Sequence, residues 1–390
     1  MTASASPAGP TATTPAALAA RGLANVSVVG LSKRYGDAAA APALDDFSLE
    51  FPAGRCTVLL GPSGCGKTTV LRSIAGLIRP DGGRITIAER SVFDAKAGID
   101  VPPEKRRLGM VFQSYALWPH LPVAANIGYP LLAERIGKTA ATARTDAMLE
   151  WVGLTGMGGR YVHELSGGQQ QRVSLARAMV GQPQAILFDE PLSNLDARLR
   201  ERMRMELLAL RQQAPYTAIY VTHDQLEAMT LGDRVVVMRA GRIEQAGTPE
   251  EIYRRPRTRF VADFVGIPNL LDGTVRAVDG DTVLVDTVLG PLTTRSWRSD
   301  RAAGARCTVA VRPTLLTLVA ADAPGTAAGG ANGVPARVER SAFQGISSLD
   351  LVQVQGQEVT VESFSEQRHA VGAEVMLQPA PSAVFALLDD

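Results

Sequence analysis

The nine residues Gly61-Pro62-Ser63-Gly64-Cys65-Gly66-Lys67-Thr68-Thr69 constrain the fold of this chain more than any other stretch. They fit the phosphate-loop pattern of a Gly, four variable residues and then Gly-Lys-Thr. The apolar run Cys56-Thr57-Val58-Leu59-Leu60 predicts a buried strand before them, and residues 70–77 predict a helix after them. Strand, Gly-rich turn and helix N-terminus in that order gather backbone N–H groups around an anion. In such a loop Lys67 reaches the β- and γ-phosphates of a nucleotide, and the Thr68 hydroxyl ligates Mg²⁺.

Two further segments follow in a set order. Leu165-Ser166-Gly167-Gly168-Gln169 precedes a helical run beginning at Gln170, and Ala185-Ile186-Leu187-Phe188-Asp189-Glu190 comes next. Taken singly, the first is a loop with Ser166 as a helix N-cap. The second is a buried parallel strand ending in two acids. Their order after a phosphate loop carries more information than either does alone.

Over about residues 26–260 this set resembles the ATP-binding cassette ATPases. The resemblance implies an α/β P-loop nucleotide-binding domain with an inserted helical subdomain. Further positions match that family's motifs. Tyr35, in Lys33-Arg34-Tyr35-Gly36, matches the aromatic that stacks on adenine, although the insert at 38–41 stretches its spacing to the phosphate loop. Gln113 matches the Gln that contacts Mg²⁺ and the attacking water. Asp196, in Ser193-Asn194-Leu195-Asp196, matches the loop that crosses the dimer interface. His223 matches the switch histidine at the end of the next strand.

In that frame Asp189 holds Mg²⁺ through its water shell. Glu190, one residue on, faces elsewhere and polarises a water. Lys67, Mg²⁺ and helix N-termini supply the positive field that phosphoryl transfer needs. The resemblance places the signature residues Leu165, Ser166, Gly167, Gly168 and Gln169 on the ATP of a second protomer. Cys65 sits among phosphate-binding amides at a helix N-terminus, where a thiolate is favoured. Maleimide inactivation slowed by MgATP is the expectation there.

Composition fits this reading. Lys and Arg number 40 against 39 Asp and Glu, a net charge of +1, so no basic excess marks a nucleic-acid partner. No stretch approaches about 18 uninterrupted apolar residues, so no spanning helix is expected. The three cysteines, Cys56, Cys65 and Cys307, have no disulfide spacing and suit a reducing compartment. Residues 1–22, rich in Ala, Thr, Ser and Pro, read as a disordered extension rather than a signal peptide.

Residues 23–265 are assigned to the cassette, with the helical subdomain at about 115–180. A helix is expected at 139–151, and Leu195, Leu199, Met203 and Leu210 are expected in the core. After Gly266 the pattern becomes strand-rich, with alternation in 281–286, 307–312 and 357–362 and a Gly/Ala-rich connection at 325–333. Residues 266–390 are read as an all-β, OB-like (TOBE-type) domain, a small barrel pair. This part resembles the accessory domain of sugar, polyamine and iron(III) importer ATPases. Val311-Arg312-Pro313 matches a recurrent element there, but Thr314 stands where an acid is usual.

The expected function is therefore the ATP-hydrolysing subunit of a binding-protein-dependent importer at the cytoplasmic face of the inner membrane. The implied partners are a second copy of the chain, two membrane-spanning permease subunits and, indirectly, an extracytoplasmic substrate-binding protein. Residues 114–122 match the groove that receives a permease helix, and their wording most resembles iron(III) importers. Polyamine, phosphonate and sugar importers are the alternatives, followed by an exporter ATPase. A soluble translation cassette would carry two cassettes, whereas one phosphate loop and one signature occur here. A DNA-repair cassette would separate those motifs by hundreds of residues, whereas Ser166 lies 105 positions after Gly61. A regulatory protein sensing a ligand through its tail fits less well, because the catalytic set is complete.

Overall fold

The computed structural model describes residues 23–36, 41–295, 302–320, 333–364, 369–380 and 385–388. The extension read at 1–22 lies outside the described residues, as does the connection at 325–333 apart from Gly333. The chain divides into two compact units, Met1–Pro249 and Glu250–Asp390.

The first unit opens with β1 (Val26–Lys33), β2 (Leu44–Phe51) and β3 (Cys56–Leu60), then α1 (Lys67–Ala75). After β4 (Gly82–Ile87), β5 (Arg90–Asp94), β6 (Ile99–Asp100) and β7 (Leu108–Val111) come three helices, α2 (Val123–Ala133), α3 (Lys138–Trp151) and α4 (Gly167–Val180). The chain returns through β8 (Ala185–Asp189), α5 (Ala197–Gln213), β9 (Ala218–Thr222), α6 (Gln225–Leu231), β10 (Arg234–Arg239) and β11 (Arg242–Gly247). Antiparallel strands form one sheet, in the order β2-β1-β4-β5-β6. The other runs β11-β10-β3-β9-β8-β7, parallel except for the β10–β11 pair.

β3, β8 and β9 are buried at every position, so their sequences are largely apolar runs rather than alternating ones. Between the two sheets lies a shared apolar core. Val26, Phe47 and Ile85 come from the first sheet, Leu59, Leu187 and Ile219 from the second, and Leu71 and Ile74 from α1. α1 ends at Gly76 in the left-handed conformation (φ 81°). Its last carbonyls are capped by the buried Arg106, whose Nη1 donates to Ser73 O (2.8 Å) and Ile74 O (3.0 Å). On α5 Met203 is buried as expected, with Leu195 before it. Leu199 and Leu210 are half-buried, and Leu207 takes a core place that the four-residue pattern omitted.

The second unit contains the short helices α7 (Pro249–Arg254, which starts at the boundary) and α8 (Arg259–Phe264). Its strands are β12 (Asn269–Asp279), β13 (Thr282–Thr287), β14 (Gly290–Arg295), β15 (Arg306–Val311), β16 (Leu316–Ala320), β17 (Val334–Phe343), β18 (Ser348–Val354), β19 (Gln357–Ser363), β20 (Glu374–Pro379) and β21 (Phe385–Leu387). β12-β13-β14-β21-β15 close into a barrel, as an OB-like domain requires. The remaining strands form a five-stranded sheet, β16-β20-β17-β18-β19, so one closed barrel and one sheet stand where a pair of barrels was expected. A single core joins them, from Leu271, Val285 and Val309 to Val352, Val361 and Leu377.

The division between units falls at Pro249/Glu250 rather than near residue 265, because the two short helices bind to the strands that follow them. Arg259 donates to Asp272 (2.9 Å) and to Thr308. Arg312 donates to the Tyr253 carbonyl and lies 3.4 Å above the Tyr253 ring. That is the contact made by the Val311-Arg312-Pro313 element here.

Candidate nucleotide site

The phosphate loop leaves β3 and re-enters regular structure at Lys67, the first residue of α1. Pro62, Ser63 and Gly64 form its exposed apex, while Gly61, Cys65 and Gly66 are buried at its base. Gly66 has φ 106°, and a Cβ there would lie 2.5 Å from the Ala43 carbonyl. No other residue type fits both requirements.

The Lys67 side chain is 4% exposed and folds back into the loop, where Nζ donates to Gly61 O (2.7 Å) and Pro62 O (2.9 Å). A buried ammonium held by neutral carbonyls has no negative counter-charge of its own in those contacts. It is primed for an anion.

The Cys65 thiol is shielded from solvent. It is 4% exposed and packs in the apolar core beside Leu71 and Ile74. Its Sγ lies 3.8 Å from Lys67 Nζ, and a Cβ at Gly61 would meet it at 2.8 Å. The thiol is thus enclosed beneath the loop, against Lys67 and Gly61, rather than open to solvent. The expectation of a reactive thiol is corrected accordingly. Cys56 and Cys307 are buried too, and burial pushes the Cys56 thiol up to about 12. All three thiols should therefore react with maleimide on the order of 100-fold more slowly in the native protein than in denaturant. Stopped-time labelling followed by mass spectrometry measures this, and rapid native labelling at Cys65 would refute the inward orientation.

Around the loop the parallel sheet delivers its strand ends. Thr68 Oγ1 lies 3.3 Å from Asp189 Oδ1, and the Asp189 carboxylate is nearly buried. Glu190, the next residue, adopts a left-handed backbone (φ 47°) that turns its side chain away from Asp189 and towards β9. Its amide donates to Val221 O (3.1 Å), and its Oε2 sits 3.2 Å from His223 Nδ1. The two acids thus take separate directions, because the strand ends at Asp189 and the left-handed turn at Glu190 redirects the chain.

Four residues past His223 is a buried polar group that the sequence did not single out. Glu227, 3% exposed, accepts a 2.9 Å bond from Tyr220 Oη. Burial pushes the Tyr220 phenol and the Glu227 carboxyl up from their ordinary values, with Asp224 repulsion a smaller cause for Glu227. Asp224 caps α6 by accepting from the Glu227 amide at 3.0 Å. These bonds tie the end of β9 to the start of α6 and so set where His223 emerges.

Gln113 is exposed just beyond β7, and its carbonyl accepts from Asn194 Nδ2 (3.0 Å). That bond brings the Gln113 segment to the Ser193–Asp196 loop. Asp196 itself caps α5, accepting from the Leu199 amide at 2.9 Å. Tyr35 is 49% exposed with Lys33 Nζ 5.6 Å from its ring centroid. Residues 37–40 of the insert lie outside the described residues; beyond them Ala43 N donates to Lys33 O (2.8 Å) and the Ala43 carbonyl abuts Gly66. Tyr35 therefore stays on a segment anchored to the phosphate loop.

The signature opens α4 through a capping box. Ser166 Oγ accepts from the Gln169 amide (3.4 Å), and Gln169 Oε1 accepts from the Ser166 amide (2.9 Å). Leu165 is buried, Ser166 is exposed, and a Cβ on Gly168 would press 2.8 Å from Met203 Sδ of α5. The glycine allows α4 and α5 to approach closely. Further along α4, the buried Arg177 donates to Ala116 O (2.6 Å) and Tyr115 O (2.7 Å) and stacks 4.9 Å from the Trp118 ring. Tyr115 and Ala116 both have left-handed backbones, φ 61° and 48°. Buried Asn126 then fixes the next turn, accepting from Trp118 N and donating to Trp118 O and Leu121 O. Together these hold open a cavity of about 530 Å³ lined by Phe112, Ala116, Trp118, Pro130, Glu134 and Arg177.

The ABC transporter family profile matches residues 44–193, and the TOBE domain profile matches residues 309–387. The chain is 49% identical over 284 residues to the spermidine/putrescine import ATP-binding protein PotA of Methylococcus capsulatus, covering 73% of this chain and 71% of that one. It is 46% identical over 306 residues to the Fe(3+) ions import ATP-binding protein FbpC of Rhizobium etli, covering 78% and 81%. The chain belongs to the ABC transporter family. A third relative, the trehalose/maltose import ATP-binding protein MalK of Thermococcus litoralis, is 50% identical over 255 residues, covering 65% and 68%. The chain has the build of importer-type ABC ATPases with a C-terminal TOBE domain, and it hydrolyses ATP in coupling to transport. Among the described residues no helix is long and apolar enough to cross a membrane.

Oxygen donors make up the meeting point of Thr68 and Asp189, and no cluster of three or more His, Cys, Asp or Glu residues suits a metal among the described residues. A hydroxyl beside one nearly buried carboxylate fits Mg²⁺, which keeps most of its waters and takes substrate phosphate oxygens. It lacks the nitrogen or sulfur ligands that zinc, copper or nickel prefer.

Proposed function

We propose that this chain energises a binding-protein-dependent importer as a homodimer bound beneath two permease subunits at the cytoplasmic face of the inner membrane. The observation that carries the catalytic half of this reading is the 3.2 Å approach of Glu190 to His223, across from the Lys67 loop and the Thr68–Asp189 pair. Lys67 exchanges its loop carbonyls for the β- and γ-phosphates. Thr68 and Asp189, with Gln113, would hold Mg²⁺, which supplies charge neutralisation at the phosphates. Glu190 accepts a proton from the attacking water, and His223 orients the γ-phosphate and Glu190 together. Tyr35 stacks on the base. Ser166 and its neighbours close on the ATP of the second protomer, where the exposed α4 N-terminus adds donors for the γ-phosphate. The 530 Å³ cavity receives a permease helix.

Iron(III) is the proposed cargo, supported by the wording of residues 114–122 and by the iron-import relative at 46% identity. Polyamine is the second reading, favoured by the polyamine-import relative at 49% identity over a similar span. Cargo is tested by reconstituting the chain in proteoliposomes with the permease and binding protein encoded beside it. Iron(III)-loaded binding protein should stimulate ATP turnover about tenfold or more over unloaded protein, as a cargo-coupled closure would. Stimulation by spermidine in place of iron(III) would move the assignment to polyamines.

A further inference from the structure

Asp189 is a carboxylate removed from water, and such a group needs a counter-charge. The structure supplies one that the catalytic scheme does not use. Thr68 and Arg72 stand four residues apart on α1 and so share one face of the helix. Both reach the end of β8. Thr68 Oγ1 is 3.3 Å from Asp189 Oδ1, while Arg72 donates to Asp189 Oδ2 from Nε (3.2 Å) and Nη2 (3.1 Å). The Asp189 side chain is 6% exposed, whereas that of Arg72 is 46% exposed. The carboxylate is fixed, and the guanidinium is free to swing into solvent.

We propose that Arg72 is the resident counter-ion of Asp189 in the nucleotide-free protein and competes with the divalent cation for it. This rests on the reading that Thr68 and Asp189 hold Mg²⁺. Without metal, both Asp189 oxygens are engaged, one by the Thr68 hydroxyl and the other by Arg72. A divalent ion arriving with the nucleotide phosphates brings two positive charges to the same carboxylate. Arg72 then either repels the ion or withdraws, and its half-exposed stem makes withdrawal inexpensive. Arg72 is thus a positioning residue. It keeps Asp189 oriented before the metal arrives, and it raises the metal concentration at which the site fills.

Mn²⁺, an oxygen-seeking stand-in for Mg²⁺ with an electron paramagnetic signal, reads this directly. The full-length chain is titrated with Mn²⁺ at saturating non-hydrolysable ATP analogue, and free Mn²⁺ is measured. Arg72→Ala should bind Mn²⁺ about 5- to 10-fold more tightly than wild type, the size of a modest coupling between two cations on one carboxylate. Arg72→Lys, which keeps the charge, should stay near wild type. In nucleotide-free protein Arg72→Ala should lower the unfolding midpoint by leaving Asp189 without its partner. Adding Asp189→Asn should recover part of that loss, because no charge is then left buried. Unchanged or weaker Mn²⁺ binding by Arg72→Ala, with normal uptake by wild type, overturns the role of Arg72 and leaves the metal reading standing. No uptake by wild type overturns both. Should Arg72→Ala not fold, Arg72→Gln keeps amide donors without the charge and decides the question by the same titration.

Discussion

Glu190→Gln should bind ATP and fail to turn it over. The substitution keeps side-chain length and shape, so the left-handed backbone at φ 47° and the amide bond to Val221 O are undisturbed. Lys67 and Thr68 lie on another element, Asp189 points in a separate direction, and all three retain their contacts. What disappears is the group that accepts a proton from water. General-base catalysis is worth roughly 10²–10⁴ in rate, and phosphate release should fall by about that factor. Because each ATP is proposed to lie between two chains, a protein that binds but does not hydrolyse should accumulate as a closed dimer. Size-exclusion chromatography with MgATP detects that species, and a coupled phosphate assay measures turnover. Near-normal steady-state turnover would remove Glu190 as the activating base and would leave His223, 3.2 Å away, as the next group to examine.

The second large effect is a recovery of function by mixing. Lys67→Ala removes the ammonium from the phosphate loop, and Ser166→Arg places a bulky cation at the exposed N-cap of α4. Each homodimer then carries two damaged sites. If the signature acts on the partner's nucleotide, a mixed dimer has one site with both lesions and one site with neither. MgATP-dependent closure, read by crosslinking between chains, should return at that intact site. Hydrolysis should recover by half or less if the two sites fire together. Mixed dimers that form but close no better than the homodimers would sink the composite site. Closure that appears only in the presence of permease subunits would instead mean that the partner drives dimerisation.

Much of this site was legible in local sequence because the interactions that form it are local. A phosphate loop is a turn between a strand and a helix, so its residues need only their own spacing to be recognised. The signature is a capping box closed within four residues, Ser166 to Gln169. Asp196 likewise needs only Leu199, three residues on, to act as a cap. The all-buried strands β3, β8 and β9 appear as largely apolar runs without alternation, as a parallel strand covered on both faces shows.

Where the partner is distant in sequence, the pattern was silent or misleading. Cys65 carries no local mark of direction. Its inward turn follows from the β10–β11 connection that closes on the loop, where the Gly241 amide donates to the Cys65 carbonyl. Arg177 sits in an ordinary amphipathic helix, and its role comes from carbonyls some sixty positions earlier in the chain. The unit boundary moved because Arg312 and Arg259 tie α7 and α8 to strands that follow them, and a helix shows no preference for its neighbours in composition.

The sequence by itself determined which residues could bind phosphate, cap a helix or fill a parallel strand, because backbone geometry within a few residues decides those matters. Only the tertiary structure decided which charges meet. Asp189 reads the same beside any apolar strand. Its pairing with Arg72, 117 residues away, depends on α1 packing against β8, and that packing is set by the shared core of Leu71, Ile74, Leu187 and Ile219. The strength of an ion pair is set by burial and distance, and neither exists until the core has formed.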